Sequence, residues 1–286
     1  GHGLQKDRED KVMQGKDRTA VVTGAAGGIG RKLVRGLLDA GLRVAAIDRE
    51  REMLAASASE WGGGAALMTL AADLARDEAV DEIVGAARSR FGSIDILVNN
   101  AGIGPGAIRP DSWQNPLKFW EISSPEWRRF VAVHTTAPLA LARALAPEMM
   151  RRGWGRIVNV TTSLGTMLNA GMPTYGPSKA ALEAMSAIWA KDLAGSGVTV
   201  NVLVPGGMTN TSMISETAGF ARDRMIQPEV MVPPLLWLVS DAAGAVTGRR
   251  FLATHWDPAL PPAEAAGKAG APVAWSDIAT MPITPG

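Results

Sequence analysis

The feature that most constrains this chain is a glycine-rich turn between a β-branched segment and an amphipathic one. Thr23–Gly30 has the sequence Thr-Gly-Ala-Ala-Gly-Gly-Ile-Gly and directly follows the strand-like segment Thr19–Thr23. A turn of this kind lets the backbone approach a pyrophosphate at the amino terminus of the following helix. Gly24 would permit the tight turn, Gly28 the approach of the phosphates, and Gly30 the contact between helix and strand. The motif therefore predicts a dinucleotide-binding α/β fold rather than an ordinary flexible turn.

An acidic residue follows at the distance that such a site needs. Asp48 ends the second strand-like segment, about 20 residues beyond the glycines. A carboxylate there accepts hydrogen bonds from both hydroxyls of the adenosine ribose and repels a 2′-phosphate. We therefore predict NAD as the cofactor, with NADP less favoured. Arg49 could instead pair with a 2′-phosphate, but we interpret it as a solvated loop charge.

Short β-branched segments alternate with helical segments along most of the chain. The predicted strands are Thr19–Thr23, Arg43–Ile47, Leu67–Ala71, Ile94–Val98, Arg156–Val160, Thr199–Val204 and Arg250–Ala253, and the clearest predicted helices are Gly30–Ala40, Asp77–Phe91, Pro125–Met150 and Tyr175–Ala194. Repeated alternation implies parallel strands joined by right-handed crossovers. We expect a single-domain α/β fold, a Rossmann-like doubly wound parallel sheet of about seven strands flanked by helices.

Three regions depart from this alternation. Residues 1–17 are polar and begin with Gly-His-Gly, typical of a tag remnant, so we expect a disordered N-terminal segment before a catalytic domain at 18–256. The connection 102–126 is long and contains Trp113 and Trp120, which could line a substrate pocket or seal the loop onto the core. The tail 257–286 carries six prolines. We expect it to pack on the domain or a neighbouring subunit, anchored by Trp256 or Trp275.

Composition and charge exclude several function classes. Hydrophobic residues make up 47% of the 286 residues, enough for one large core, and 29 basic residues nearly balance 28 acidic ones, which argues against a nucleic-acid partner. No uncharged stretch reaches the roughly 18 residues that a membrane span requires. The chain has no cysteine, and its three histidines are scattered, so no metal site is expected. Since the start of the chain lacks an apolar signal segment, we expect a cytoplasmic protein.

A tyrosine and a lysine four residues apart form the candidate catalytic pair. Tyr175 and Lys179 share one face of a predicted helix and follow the fifth strand, at the edge of the sheet where ligands bind. A neighbouring ammonium favours the phenolate and so lowers the pKa of a phenol from its usual value of about 10. Thr162 and Ser163 follow the same strand, and a hydroxyl there could polarise a substrate oxygen.

These motifs, in this order and spacing, resemble the short-chain dehydrogenase/reductase family over residues ~18–254. The matching pieces are Thr23–Gly30, Asp73-Leu74, Asn99-Asn100-Ala101-Gly102, Tyr175–Lys179 and Pro205-Gly206. The resemblance implies hydride transfer at the nicotinamide C4, with Tyr175 as general acid/base and with Lys179 lowering the pKa of Tyr175 and holding the nicotinamide ribose.

The resemblance also implies a set of cofactor contacts. Asp73 would contact the adenine amino group, Asn99 would lie along the cofactor, Met208 would face the carboxamide, and Thr211 would bind the pyrophosphate. With the glycine loop and the acidic position, the predicted cofactor-binding residues are Gly24, Gly28, Ile29, Gly30, Asp48, Arg49, Asp73, Leu74, Asn99, Ala101, Gly102, Tyr175, Lys179, Pro205, Gly206, Met208 and Thr211.

The sequence departs from the family pattern at three places. The family's catalytic serine aligns with Thr162, while the serine is Ser163; either hydroxyl could serve, and we favour Ser163. The family's water-holding asparagine aligns with His134, which could hold a water, pass a proton, or be a buried histidine satisfied by a backbone carbonyl. The usual acidic-Gly-Gly ending is replaced by His255-Trp256-Asp257.

The pattern as a whole predicts an NAD-dependent oxidoreductase that interconverts a secondary alcohol and a ketone. The substrate stays open among a sugar, an alicyclic and an aryl alcohol. Two alternatives remain: a nucleotide-sensing binding protein of the same fold, and an epimerase or dehydratase that retains NAD, although such enzymes usually need a larger substrate domain. We also expect a homo-oligomer, a tetramer or dimer, that pairs the helices Pro125–Met150 and Tyr175–Ala194.

Overall fold

The computed structural model describes residues 17–279, which are built around one mixed sheet of eight strands. The strands are β1 Thr19–Thr23, β2 Arg43–Asp48, β3 Leu67–Ala71, β4 Ile96–Asn99, β5 Gly155–Val160, β6 Val198–Val204, β7 Arg249–Leu252 and β8 Gly270–Pro272. Their order across the sheet is β3-β2-β1-β4-β5-β6-β7-β8, with β8 antiparallel to β7 and all other neighbours parallel. The predicted Rossmann-like fold is confirmed, with one more strand than expected.

Helices cover both faces of the sheet. They are α1 Gly28–Asp39, α2 Arg51–Trp61, α3 Ala79–Phe91, α4 Ser124–Val131, α5 Ala137–Arg152, α6 Leu164–Met167, α7 Tyr175–Asp192, α8 Val232–Leu238 and α9 Pro262–Ala269. Alternate strand residues serve opposite faces: Val22 joins the apolar cluster of Leu33 and Leu235, whereas Val21 joins the cluster of Ile83 and Leu141. Within 17–279, no helix is both long and apolar enough to traverse a bilayer.

The helix predicted over Pro125–Met150 contains an irregular turn. Helices α4 and α5 are joined without a break by a π-helical turn, Ala132–Thr136, and His134 lies at its centre. A single wide turn of this type inside a helix often marks a functional site. It redirects the side chains of the turn relative to a regular helix, which periodicity in the sequence does not reveal.

The order of the strands places the loops that carry the candidate residues at one edge. The chain runs from β1 outward to β2 and β3, then returns to form β4 on the other side of β1. At such a reversal the loops at the carboxyl ends of the two central strands diverge and leave a crevice. The glycine loop follows β1, the Asn99–Gly102 motif spans the end of β4, and Thr162 follows β5. The fold therefore assembles these motifs around that crevice.

The described part of the tail packs on its own domain. Helix α9 buries Ala265 and Ala269, and β8 adds a strand to the edge of β7. The ring of Trp256 packs on Trp237 at 5.8 Å between centroids, whereas Trp275 is 43% exposed. Of the two anchors considered from the sequence, Trp256 is the one that packs within this chain. The expected disordered segment, except Asp17, and the last prolines of the tail lie outside the described residues.

Candidate active site

The glycine loop is packed so closely that side chains would not fit. Gly24 has φ +64°, and a Cβ there would lie 2.7 Å from Cα of Ala101. A Cβ at Gly28 would lie 2.8 Å from Cγ2 of Thr211, and one at Gly30 only 1.9 Å from the carbonyl oxygen of Gly24. The loop therefore contacts both the turn after β4 and the segment after β6. Backbone in this arrangement can approach a phosphate directly.

Asp48 ties the second strand to the glycine loop. Its Oδ2 accepts a hydrogen bond from the backbone N–H of Ala26 at 2.9 Å, and its Oδ1 accepts one from Glu50 at 3.1 Å. Arg49 forms an ion pair with Glu50, 2.8 Å between Nε and Oε1. The guanidinium is thus directed to its neighbour, which supports the interpretation of Arg49 as a loop charge.

The turn after β4 is fixed by Asn100, a residue of the Asn99–Gly102 motif for which the sequence predicted no role of its own. The side-chain nitrogen of Asn100 donates to the carbonyl oxygens of Thr23 and Gly24, at 3.1 and 3.0 Å. The hydroxyl of Thr23 accepts from the backbone N–H groups of Asn100 and Ala101. These bonds join the carboxyl ends of β1 and β4, so Asn100 supports the glycine loop rather than a ligand.

Asn99 is not placed as predicted. Its side chain is 2% exposed and donates to Oδ1 of Asn159 on β5, at 2.8 Å, so the side chain lies inside the sheet and not along a cofactor. Only the backbone of Asn99 remains a candidate contact. The period-two pattern of a short strand end does not reveal which face such a residue occupies, and the neighbouring amide of Asn159 favours the inward direction.

The other predicted cofactor contacts lie in four regions of the fold. Asp73 and Leu74 follow β3; Oδ1 of Asp73 accepts from the N–H of Ala75, while Leu74 packs on the core. Gly206 adopts φ +104°, and the carbonyl of Pro205 accepts from Thr254, which fixes the turn after β6. The remaining predicted residues are Ile29 on α1, Gly102 after β4, and Met208 and Thr211 after β6.

Lys179 is buried beside the end of β5. Its ammonium donates to the carbonyl oxygen of Val160 at 2.9 Å, and a Cβ on Gly102 would lie 3.5 Å from its Nζ. Burial lowers the pKa of Lys179 to about 8. The amino group is therefore able to gain and lose a proton close to neutral pH.

Tyr175 contacts Thr162 rather than Ser163. Burial raises the pKa of the phenol, and a side-chain hydrogen bond with Thr162 offsets part of that rise. We expected Lys179 to lower this pKa; in this structure Thr162 is the group that does so. Ser163 occupies the position before α6 and makes no capping bond there. The interaction of Tyr175 with Thr162 favours Thr162 over Ser163, the residue preferred from the sequence.

His134 is fully buried, and both of its ring nitrogens are hydrogen-bonded. Nε2 accepts from the backbone N–H of Ile103 at 2.9 Å, so the proton of the neutral ring is assigned to Nδ1, which donates to the hydroxyl of Ser178 at 2.8 Å. Ser178 in turn donates to the carbonyl of Thr174. Burial and the nearby charge of Lys179 hold the pKa of His134 well below its usual range.

This environment favours one of the roles considered for His134. A neutral ring with both nitrogens engaged is poorly suited to pass protons or hold a water. It is a buried histidine, satisfied by a backbone N–H and a hydroxyl rather than by a carbonyl. The ring also lies edge-on to Tyr175 at 5.5 Å between centroids. His134 therefore fixes the loop after β4 against the start of α7, which carries the candidate catalytic pair.

A cavity of about 200 Å³ lies between the connection after β4 and the segment that precedes Tyr175. Residues of 105–116 and 169–172 line it, including Trp113 and Met172, and none of these described lining residues is charged. Trp113 packs edge-on against Phe220, at 5.4 Å between centroids. Trp120 is 71% exposed and packs on Phe119 outside the cavity. Of the two tryptophans in this connection, Trp113 is the one that lines the cavity.

Comparison with known proteins gives one consistent result. The family model described as short chain dehydrogenase matches residues 18–219. The 3-oxoacyl-[acyl-carrier-protein] reductase FabG of Salmonella typhimurium is 32% identical over 246 residues, 82% of this chain and 95% of the relative.

Two solved structures, each with a nucleotide bound, are similar to this chain in both sequence and fold. A 3-ketoacyl-(acyl-carrier-protein) reductase from Brucella melitensis, complexed with NADH, is 27% identical with a TM-score of 0.71, covering 83% of this chain and 96% of that one. A structure from Beutenbergia cavernae with NADP bound at low occupancy is 32% identical with a TM-score of 0.72, covering 84% and 96%. The chain belongs to the short-chain dehydrogenase/reductase family, whose members are oxidoreductases that act on alcohol and keto groups.

Proposed function

We propose that this protein interconverts a secondary alcohol and a ketone with NAD(H), and that Tyr175 carries the proton. The arrangement that supports this most directly is the placement of Tyr175 and Lys179 on one face of α7, beside Thr162 at the carboxyl end of β5, where the buried ammonium of Lys179 donates to the carbonyl of Val160. A phenol held by a hydroxyl can donate a proton to a ketone oxygen and recover it from an alcohol. The hydroxyl of Thr162 orients the same substrate oxygen.

The residues around the crevice fit a dinucleotide. The glycine loop lies at the amino terminus of α1, where backbone N–H groups bind phosphates, and Gly24 and Gly28 let it pack closely against Ala101 and Thr211. When bound, the nicotinamide supplies or accepts the hydride. Asp48 would hold the adenosine ribose, Thr211 the pyrophosphate and Lys179 the nicotinamide ribose. With a pKa of about 8, Lys179 would also be able to return a proton toward Tyr175 near neutral pH.

The cavity lined by residues of 105–116 and 169–172, the latter shortly before Tyr175 in the chain, favours a neutral, mainly apolar substrate. Its uncharged lining and the ring of Trp113 suit a cyclic ketone, alicyclic or aryl, better than a polyhydroxylated sugar. A second candidate is a 3-oxoacyl thioester, because the relative from Salmonella typhimurium is named as a reductase of that group. Both candidates present a ketone oxygen to the same phenol.

A substrate panel tests the proposed function. Reduction of cyclic ketones, an acetoacetyl thioester and a keto sugar is followed by NADH consumption, with Tyr175→Phe as the matched control. We expect turnover with cyclic ketones, and a loss of at least a hundredfold in Tyr175→Phe with NADH binding retained, since only the proton donor is removed.

Other outcomes point to the alternatives. Tight NADH binding without turnover of any compound would replace this proposal by the nucleotide-sensing protein. Stereochemical inversion without net NADH consumption would indicate an epimerase. More than about a tenth of the wild-type rate in Tyr175→Phe would remove Tyr175 from the mechanism, because tenfold corresponds to only ~1.4 kcal/mol.

The two hydroxyls after β5 can be separated by substitution. Thr162→Val removes the hydroxyl that contacts Tyr175 and keeps the side-chain shape, whereas Ser163→Ala removes one that makes no capping bond. We expect kcat to fall about a hundredfold in Thr162→Val and less than about threefold in Ser163→Ala. Steady-state kinetics with saturating NADH measures both. The reverse order of effects would return the role to Ser163.

Cofactor preference should depend on the charge of Asp48. Asp48→Asn keeps an oxygen for the N–H of Ala26 but removes the charge that repels a 2′-phosphate. We expect the wild-type protein to bind NADH more tightly than NADPH. The substitution should lower the ratio of the NADH affinity to the NADPH affinity about tenfold. Titration of each nucleotide by fluorescence measures the two affinities, with Arg49→Gln as the control. Tighter binding of NADPH by the unmodified chain would contradict the proposal and implicate Arg49.

We further propose a cytoplasmic homo-oligomer, a tetramer or dimer that pairs α4–α5 and α7. These helices expose Trp127, Leu139, Met150 and Ile188, each more than two-fifths accessible. Apolar patches of this kind are typical of subunit interfaces. Sedimentation is expected to show an oligomer in the unmodified protein and a smaller species in Ile188→Glu. A monomer at micromolar concentration would exclude this assembly.

A further inference from the structure

A buried carboxylate lies two helical turns beyond Tyr175. Tyr175, Lys179 and Glu183 are spaced four residues apart and share one face of α7. Glu183 is 0% exposed. A carboxylate removed from water in this way requires charged or hydrogen-bonding partners. An acidic residue on the same face as Tyr175 and Lys179, in an otherwise apolar stretch, is the sequence signal that marks Glu183.

Three different parts of the fold supply the partners of Glu183. Its Oε1 accepts from Nε of Arg250 on β7 at 3.0 Å and from the backbone N–H of Ala274 in the tail at 2.9 Å. Its Oε2 accepts from the hydroxyl of Thr161, just after β5, at 2.7 Å. Glu183 therefore joins the ends of β5 and β7 to the tail.

The guanidinium of Arg250 extends this network to the candidate active site. While Nε binds Glu183, another nitrogen of the same group donates to the carbonyl oxygen of Thr162 at 2.9 Å. Arg250 is 5% exposed, and its ion pair with Glu183 is screened from solvent. The planar group thus bridges a fixed carboxylate and the backbone of Thr162, whose side chain contacts Tyr175.

The tail closes the network from the outside. Strand β8 pairs with β7 so that Ala271 lies opposite Arg250, and Val273 is buried against Val202 and Val204 of β6. Ala274 then adopts φ +60°, a conformation that residues other than glycine rarely take. This conformation accompanies the hydrogen bond from its N–H to Glu183.

We propose that Glu183 and Arg250 are positioning residues, and that with the tail segment Gly270–Ala274 they hold the backbone of Thr162 so that its hydroxyl meets Tyr175. The inference rests on the proposed function, in which Tyr175 moves the proton. None of the three groups touches the substrate in this scheme. Their effect reaches Tyr175 through the carbonyl and then the hydroxyl of Thr162.

Titration of the phenol tests this without any substrate or cofactor. Tyr175 is the single tyrosine of the sequence, so the ultraviolet absorbance change of phenolate formation reports it alone. Arg250→Lys keeps a positive charge but loses the fork that spans Glu183 and Thr162. The matched control is Arg156→Lys, at the other end of β5, where a guanidinium that is 2% exposed binds the carbonyls of Gly155 and Ser240.

The two lysine variants should differ in the pKa of Tyr175 and not merely in stability. We expect both to lower the melting temperature, but Arg250→Lys alone to raise the pKa of Tyr175, by about half a unit, because the Thr162 hydrogen bond that lowers it is weakened. Circular dichroism at each pH establishes that the fold persists through the titration. The alkaline limb of kcat against pH should move in the same direction.

A second pair of variants isolates the tail. Ala274→Pro removes the N–H that binds Glu183 and excludes a positive φ, whereas Ala274→Gly keeps the N–H and accepts φ +60°. We expect Ala274→Pro to raise the pKa of Tyr175 as Arg250→Lys does. The double variant should raise this pKa no further. Ala274→Gly should titrate as the unmodified protein.

Identical phenol titrations in Arg250→Lys and Arg156→Lys would overturn the inference and leave the network a purely structural one. Equal behaviour of Ala274→Pro and Ala274→Gly would remove the tail from it. A protein that turns over no substrate, yet shows the predicted shifts, would sink the proposed function while retaining the coupling of the tail to Tyr175.

Discussion

The close approach of two backbones, at Gly24 and Ala101, is the constraint on which the site depends. No Cβ fits between them, and Asn100 closes the contact with two hydrogen bonds to carbonyls of the glycine loop. The contact joins the two strands at which the order of the sheet reverses. Because this junction is held by close backbone contact and by part-buried side-chain hydrogen bonds, the start of α1, the end of β4 and the carboxylate of Asp48 keep fixed relative positions.

Most of the fold could be predicted from the sequence because its elements are encoded locally. Seven strands lie within about two residues of the predicted bounds, since parallel strands buried on both faces are runs of β-branched residues. The eighth could not be predicted. Gly270–Pro272 has no strand pattern of its own, and it pairs only because β7 leaves an open edge beside a tail of suitable length.

The candidate site shows where local reasoning fails. The spacing of Tyr175 and Lys179 gave their shared helix face directly. The choice between Thr162 and Ser163 depends on which of the two hydroxyls the loop after β5 directs toward Tyr175, a difference of one residue that alignment by spacing left open. The direction of the Asn99 side chain depends on Asn159 of a neighbouring strand, 60 residues away along the chain. These details are set by contacts between distant segments, which a single sequence does not display.

His134 and Glu183 are both buried near the site, and the hydrogen-bond partners and charges around them explain why His134 is neutral. A protonated imidazole there would meet the ammonium of Lys179 and lose the bond that Nε2 accepts from Ile103. Glu183 presents the opposite case. As a carboxylate it has three donors around it, so charge at this point is stabilised by geometry rather than by water.

An apolar pair in place of Glu183 and Arg250 would often be as stable, since desolvation offsets much of the attraction in a buried ion pair. Such an apolar pair would not orient the backbone of Thr162. The carboxylate fixes one side of the guanidinium plane, and the plane then fixes the line along which the carbonyl of Thr162 can lie. A reaction that transfers a proton between small groups requires orientation to within fractions of an ångström. The ion pair therefore positions Thr162, whereas apolar packing alone would contribute only stability.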